Sequence, residues 1–521
     1  MKHSLPFLLT AILAGTAFAG PKDTKEPKRN FTISKETTYV LGPLDKDGRI
    51  DYGAALSERM GKGVTAETNA NVMIWKALGP KPEGGKGQPA EFFKLMGMDE
   101  PPEKGDYFID LRRFAREHLT VEDHERLEEI DAQCMKAGRK SWAAKEFPHI
   151  ADWLKKNEKP LALFVEGMNR PHYFSPSVPR KDEKGSPGLI AALMPSVQKC
   201  RSVTYALACR AMLKLHEGKP DAAWDDLMAC HRLARHLPRG GTLIDALFGF
   251  AIDGITMTSR NSFLERPDVD STKLLGYIRD LQRMPSMATV ASCLEGAERF
   301  FFLDMVMTFD RKGQNLLAWF DSDLPDKLAI PEGPLVDMNW DPALRSPNSM
   351  FDRMSSALKQ TDRSQREKEV DRIEEELSAL RKSLNQSGNL RKALSGIGVT
   401  PEERGKIIGD WIISSTLPAA RKIQISSDRN EQSHRNQQVA FTVAAYQRDH
   451  KKYPKSLADL QPKYLAKIPN DLFSGKEIIY KPTAGGFLIY SVGPNGIDDE
   501  GRFYNDEPRG DDPNVRVPAK K

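Results

Sequence analysis

The sequence is poor in cysteine, and what it has is not arranged for metal. Cys134, Cys200, Cys209, Cys230 and Cys293 include no CxxC pair and no zinc-ligand spacing. HExxH and GxSxG are absent, which removes the zincin and nucleophile-elbow signatures. Gly84-Gly85-Lys86-Gly87 lacks the Gly-x4-Gly-Lys-Ser/Thr frame of a phosphate loop. A net charge of +5 over 521 residues, with both signs interspersed, gives no basic patch for nucleic acid. Beyond the N-terminus no apolar run reaches the ~20 residues of a membrane span. Asp45-Lys46-Asp47-Gly48 is not an EF-hand, because Pro43 and Ala54 would hold loop positions one and twelve.

What is present begins with an address. Lys2 and His3 precede the apolar run Leu5 to Phe18, and Ala17-Phe18-Ala19 fits the small-x-small cleavage rule. Residues 1–19 therefore read as a secretory signal peptide, and the mature chain as exported, periplasmic or extracellular. No cysteine follows the cleavage site, so a lipoprotein anchor is not indicated. Residues 20–36, charged and rich in Pro and Lys, read as a disordered leader.

Residues 37–415 carry helical periodicity. Helices are expected at Asn69–Leu78, at Leu119–Met135 with Thr120 as cap, and at Phe147–Asn157. The central part, 189–310, holds helices at about 189–215, 221–237 and 242–263, joined by short Gly/Pro turns, so consecutive helices must pack antiparallel. Ala211, Leu215, Gly218, Ala222, Leu227 and Pro238 resemble a single tetratricopeptide hairpin, without a copy at the family's 34-residue period. In the charged helix 351–384, Val370, Ile373, Leu377, Leu380 and Leu384 form a short heptad seam, fitting either an edge of this chain or a dimer zipper. Cys209 and Cys230 lie on consecutive helices and could face each other.

The last stretch, 416–521, has a different texture. Val439, Val443 and Tyr446 give a helix one apolar face. Tyr453-Pro454 lies past its end, Ser456 caps a short helix, and strands are expected at 478–480 and 487–492. This order, with the DLFSG segment at Asp471–Gly475 and Tyr490-Ser491-Val492-Gly493-Pro494-Asn495-Gly496, resembles the globular head of type II secretion major pseudopilins. The resemblance implies an α+β module with a calcium site in the acidic loop after the last strand. Asp498, Asp499, Asp511 and Asp512 are the candidate ligands, since hard oxygens in a flexible loop suit calcium. Two departures stand out. The aspartate expected before the turn glycine is Asn495, and the segment before the head, Arg421–Gln438, is polar where a pseudopilin is apolar. The second argues against assembly into a pilus. Signal peptide, helices and YP turn together also resemble a broader set of large exported bacterial proteins, a likeness that brings no activity with it.

The fold class expected is thus mainly α: a multi-helix body of antiparallel hairpins plus a small α+β pseudopilin-head-like module. The function that fits is a non-catalytic exported scaffold holding a protein partner, with no cofactor other than calcium. The alternatives are an envelope-polymer hydrolase in the central helices and an accessory of a secretion system. For the hydrolase, His231, Asp225 and Asp245 would have to meet Ser202 or Thr204, and a helix-borne nucleophile there lacks an oxyanion loop. His231 and His236 do not share a helix face.

Overall fold

The computed structural model describes residues 30–82, 87–120, 123–178, 189, 195–312, 338–386, 388–483 and 485–518. The expected signal peptide, residues 1–19, and most of the expected leader lie outside these residues. The leader is described from Asn30: Phe31 is buried and the Thr32 amide donates to Asp341 at 2.6 Å, so its last residues are packed.

Helices α1 (Tyr52–Gly61), α2 (Ala70–Leu78), α3 (Ala90–Leu95), α4 (Leu111–Leu119), α5 (His124–Ala137), α6 (Pro148–Lys156) and α7 (Glu158–Gly167) open the body. Side-chain caps set several starts: Asp51, Asn69, Asp110 and Asp123 each accept a first-turn amide. The helix expected from Leu119 begins later, at His124. Thr120 adopts a left-handed conformation that closes α4 instead of capping the next helix.

Three central helices follow near the expected positions: α8 (Pro195–His216), α9 (Pro220–His236) and α10 (Leu243–Asn261). The α10 start is a capping box between Thr242 and Asp245. Next come α11 (Ser271–Arg283), α12 (Val290–Cys293), a π-turn at Leu294–Glu298 and α13 (Arg299–Lys312). The region expected as one charged helix is two, α14 (Asp341–Leu358) and α15 (Arg363–Gln386), then α16 (Asn389–Ser395) and α17 (Pro401–Thr416). Val370, Ile373, Leu377 and Leu384 are buried within this chain and Leu380 packs beside them, so the heptad seam belongs to the protein's own core.

The long helix α18 (Ala419–His450) leads to a three-stranded antiparallel sheet, β1 (Ile479–Thr483), β2 (Gly486–Tyr490) and β3 (Asn514–Val517), in that spatial order. Ile479 pairs with Tyr490, and Phe487 with Val517. The chain is therefore mainly helical with a small sheet near its C-terminus. Among the described residues no helix is long and apolar enough to cross a membrane.

Two main cores result. The first joins residues of α2 and α4–α11 to Val439–Ala445 of α18 and to Phe487, Ile489, Val515 and Val517 of the sheet. The second joins α1 and α12–α17 to Leu243, Ala246 and Phe250 of α10 and to Ala420 and Ile423 of α18. Helices α10 and α18 belong to both.

In the second core α17 lies against α14 through Gly409. A Cβ there would stand 2.6 Å from Ala343 Cα and 2.8 Å from its carbonyl oxygen, so the two helices would have to separate. Gly409→Ala should lower stability by about 1–3 kcal/mol in urea denaturation. Gly254→Ala, on an exposed turn of α10 with none of the described residues within 4 Å of the new Cβ, should raise it by roughly 0.5–1 kcal/mol. Equal shifts of one sign would refute this packing.

Candidate metal centre

The acidic loop runs from the end of β2 to the start of β3 and lies over the outer face of β2. At Gly501, a Cβ would meet Leu488 and Tyr490 at 2.9 and 3.1 Å. Its two halves are tied by their own carboxylates. Asp512 Oδ2 accepts from the amides of Asp499 and Gly501 at 3.0 and 2.9 Å, and Asp499 Oδ2 accepts from the Asp511 amide at 3.1 Å. Gly510 permits the approach, since a Cβ there would stand 2.5 Å from the Arg502 carbonyl oxygen.

Ligand oxygens of Asp499, Asp511 and Asp512 lie within 4.8 Å of one another. Asp512 is fully buried, and among the described residues its Oδ1, like Asp511 Oδ1, has no hydrogen-bond partner. Burial pushes the Asp512 carboxyl up to about 6, with Asp499 and Asp498 adding to the rise against the hydrogen bonds it accepts. Burial likewise raises Asp511, against the pull of the Asn495 amide and Arg429. Unpartnered carboxylate oxygens are costly without a cation or a proton, and hard oxygens are what calcium takes. Asp499, Asp511 and Asp512 are thus the residues that could hold a cation in this loop.

Of the four candidate ligands, three converge. Asp498 is used locally, accepting from the Glu500 amide at 2.8 Å and the Tyr490 hydroxyl at 3.4 Å. Asn495 turns its side chain to the Ile497 amide at 2.7 Å, so the missing aspartate there leaves a turn intact and the carboxylates come from the far side of the loop.

A second cluster was not singled out by sequence as a group. His231 of α9, Asp253 of α10 and His434 of α18 bring three potential ligand atoms together. His231 Nδ1 stands 2.8 Å from Asp253 Oδ1, and His434 Nε2 contacts Asp253 Oδ2. Arg260 donates to Asp253 at 3.0 Å, and Asn430 at 3.3 Å. Arg235 and Arg260 also place guanidinium nitrogens 2.9 and 3.3 Å from His231 Nδ1. Two fixed cations around one carboxylate leave no negative charge for a metal ion, so this is a buried ionic clasp. Burial pushes the Asp253 carboxyl up, but His434, His231 and Arg260 outweigh it and hold it well below the ordinary range. Burial holds His231 well below its usual value despite Asp253, so it is neutral.

Among the described residues no hydrogen bond or ion pair joins His231 to Asp225, Asp245, Ser202 or Thr204, and Ser202 lines a separate cavity of about 540 Å³. His231 is fully buried and bound to Asp253. Asp245 caps α10, and the Thr204 hydroxyl donates to the Cys200 carbonyl at 2.8 Å. Asp245 does line a cavity of about 70 Å³ beside Ser57, Tyr173 and Thr242, and burial pushes its carboxyl up to about 6.

Comparison of the chain with protein-family models, with curated proteins and with solved structures finds no match in any of the three. What can be said of the chain therefore rests on its own residues.

Two outcomes follow for these clusters. Near neutral pH, calcium at about a hundred times its Kd should stabilise the protein by about 2.7 kcal/mol. Asp512→Asn should abolish that increment while raising the metal-free melting temperature, and calcium affinity should fall as pH drops below about 6, where Asp512 takes a proton. Calorimetric titration of the full chain at several pH values checks both. For the clasp, folded His231 stays neutral while the unfolded chain protonates it below about 6.5, so its contribution makes stability fall as pH drops from there. His231→Asn should be less stable at neutral pH. The gap between variant and wild-type urea midpoints should narrow toward pH 5, and a constant gap would contradict neutral burial.

Proposed function

We propose that the protein is an exported, non-catalytic scaffold that presents a calcium-ordered loop to a protein partner. Export rests on the Lys2-to-Ala19 leader pattern. The observation that carries the binding role is the acidic loop itself. Beside the orphan oxygens of Asp511 and Asp512 it exposes Ile497 at 62% and Tyr504 at 42%. Arg429 of α18 lies 5.0 Å from the Tyr504 ring and 3.7 Å from Asp511, so charge and apolar surface share one face. Large apolar side chains held out by an ordered loop are the usual anchors of a protein interface. The pseudopilin-head resemblance of the sequence motifs is in line with this reading, although the acidic loop lies between β2 and β3 and not after the last strand. Service to a secretion machine rests on that likeness alone.

Two features bear on the hydrolase reading: a cavity of about 540 Å³ lined by Ser202, Lys199 and Asp110, and the raised Asp245 carboxyl in its own cavity, a value suited to proton transfer. The cavity of about 70 Å³ is too small for a sugar ring or a peptide, since sites for such ligands are on the order of 300 Å³ or more.

Photo-crosslinking from position 504 in the producing cell separates these readings. A discrete adduct that is lost in Asp512→Asn, with an exposed control position such as Lys62 giving none, is the expected result. No adduct at 504, together with polymer-degrading activity that Asp245→Asn removes, would replace the scaffold by an enzyme.

A further inference from the structure

Cys134 on α5 and Cys209 on α8 meet inside the first core with their sulfurs 3.6 Å apart. They are 5% and 0% exposed. Their backbones are pinned on both sides: Cys209 Sγ donates to the Cys134 carbonyl at 3.3 Å, and Trp142 Nε1 donates to the Cys209 carbonyl at 3.1 Å. Behind them the helices are close, because a Cβ at Gly138 would stand 3.7 Å from Cys209 Sγ. Cys230, the neighbour that helix order alone offers to Cys209, instead has its thiol beside Thr204. Among the described residues no His, Asp or Glu joins the two sulfurs in a metal-ligating group.

We propose that Cys134 and Cys209 are a disulfide-forming pair that closes when the chain folds in the presence of a disulfide oxidant. One cysteine thiolate attacks the oxidant's sulfur and releases one thiol. The second then displaces the other half from the mixed disulfide. Two S–H bonds are lost, one S–S bond forms between α5 and α8, and the oxidant leaves as two thiols. The sulfurs need approach by only roughly 1.5 Å to reach bonding distance, a side-chain adjustment. The link would close a loop of 75 residues, which restricts the unfolded chain far more than a local bridge does. Closure belongs to folding rather than to the finished protein. Both sulfurs are buried once the chain has folded, out of reach of an oxidant, and the hydrogen bond with Cys134, and then burial, push the Cys209 thiol well above its usual value.

The test uses the full chain, unfolded in reductant and refolded either with glutathione disulfide or with reductant kept present. Each product is then denatured, alkylated and peptide-mapped by mass spectrometry. The oxidised product should carry a Cys134–Cys209 cross-linked peptide and melt several degrees above the reduced one. Reduced protein exposed to the same oxidant while folded should gain no cross-link. Cys134→Ser and Cys134→Ala should each lose the oxidant-dependent rise in melting temperature. Both thiols alkylated in the oxidised, refolded wild type, or Cys209 joined to Cys230 or another cysteine, would overturn the proposal whatever the variants do.

Discussion

A single buried carboxylate, Asp253, constrains the architecture. Taking a charge out of water costs several kcal/mol, so it persists only where its partners are held in place. Those partners come from three helices: His231 from α9, Arg260 from α10 itself, and Asn430 and His434 from α18. Arg260 is also fully buried, and its Nε donates to Gln437 of α18 at 2.8 Å. Gln437 in turn donates to the Met257 carbonyl and to Asn261. The angle and register at which α18 crosses α10 are thereby set by polar geometry, and the two cores sit on either side of that crossing.

This arrangement explains why α18 was hard to read. The apolar-face rule finds only its C-terminal part, where Val439 and Val443 meet the first core. Arg421–Gln438 reads as polar and charged, yet Asp428, Gln432, Asn436 and Gln437 are all buried. Positions 430, 434 and 437 form one face turned to the body, while 432 and 436 on the opposite face bind the Leu472 amide and the Pro513 carbonyl. Hydropathy cannot see burial of this kind, because the signal lies in the partner of each residue and those partners are remote in sequence.

Elsewhere legibility follows the range of the interaction. The helices of the central hairpins and the Ser456 turn, where Asp459 accepts from the Lys455 and Ser456 amides, are local and were readable. Strand β3 was not, since four residues after a long loop carry too little alternation to announce themselves. The acids of the loop were visible as composition. Which of them converge was not, because Asp511 and Asp512 meet Asp499 only after the chain turns back across β2. Helix order suggested Cys230 as the neighbour of Cys209, but the approach of α5 is a tertiary fact.

The membership of the first core also dictates an order of events during synthesis. Its earliest contributor is Ala70 and its latest is Val517, while the residues of the second core from Val290 to Ile423 emerge in between. The exposed flanks of α10 and α11 must therefore wait, unsealed, until nearly the whole polypeptide has appeared. Such a chain is vulnerable to aggregation for most of its production. It rewards a cell that keeps it extended, or shielded, until the final strand arrives.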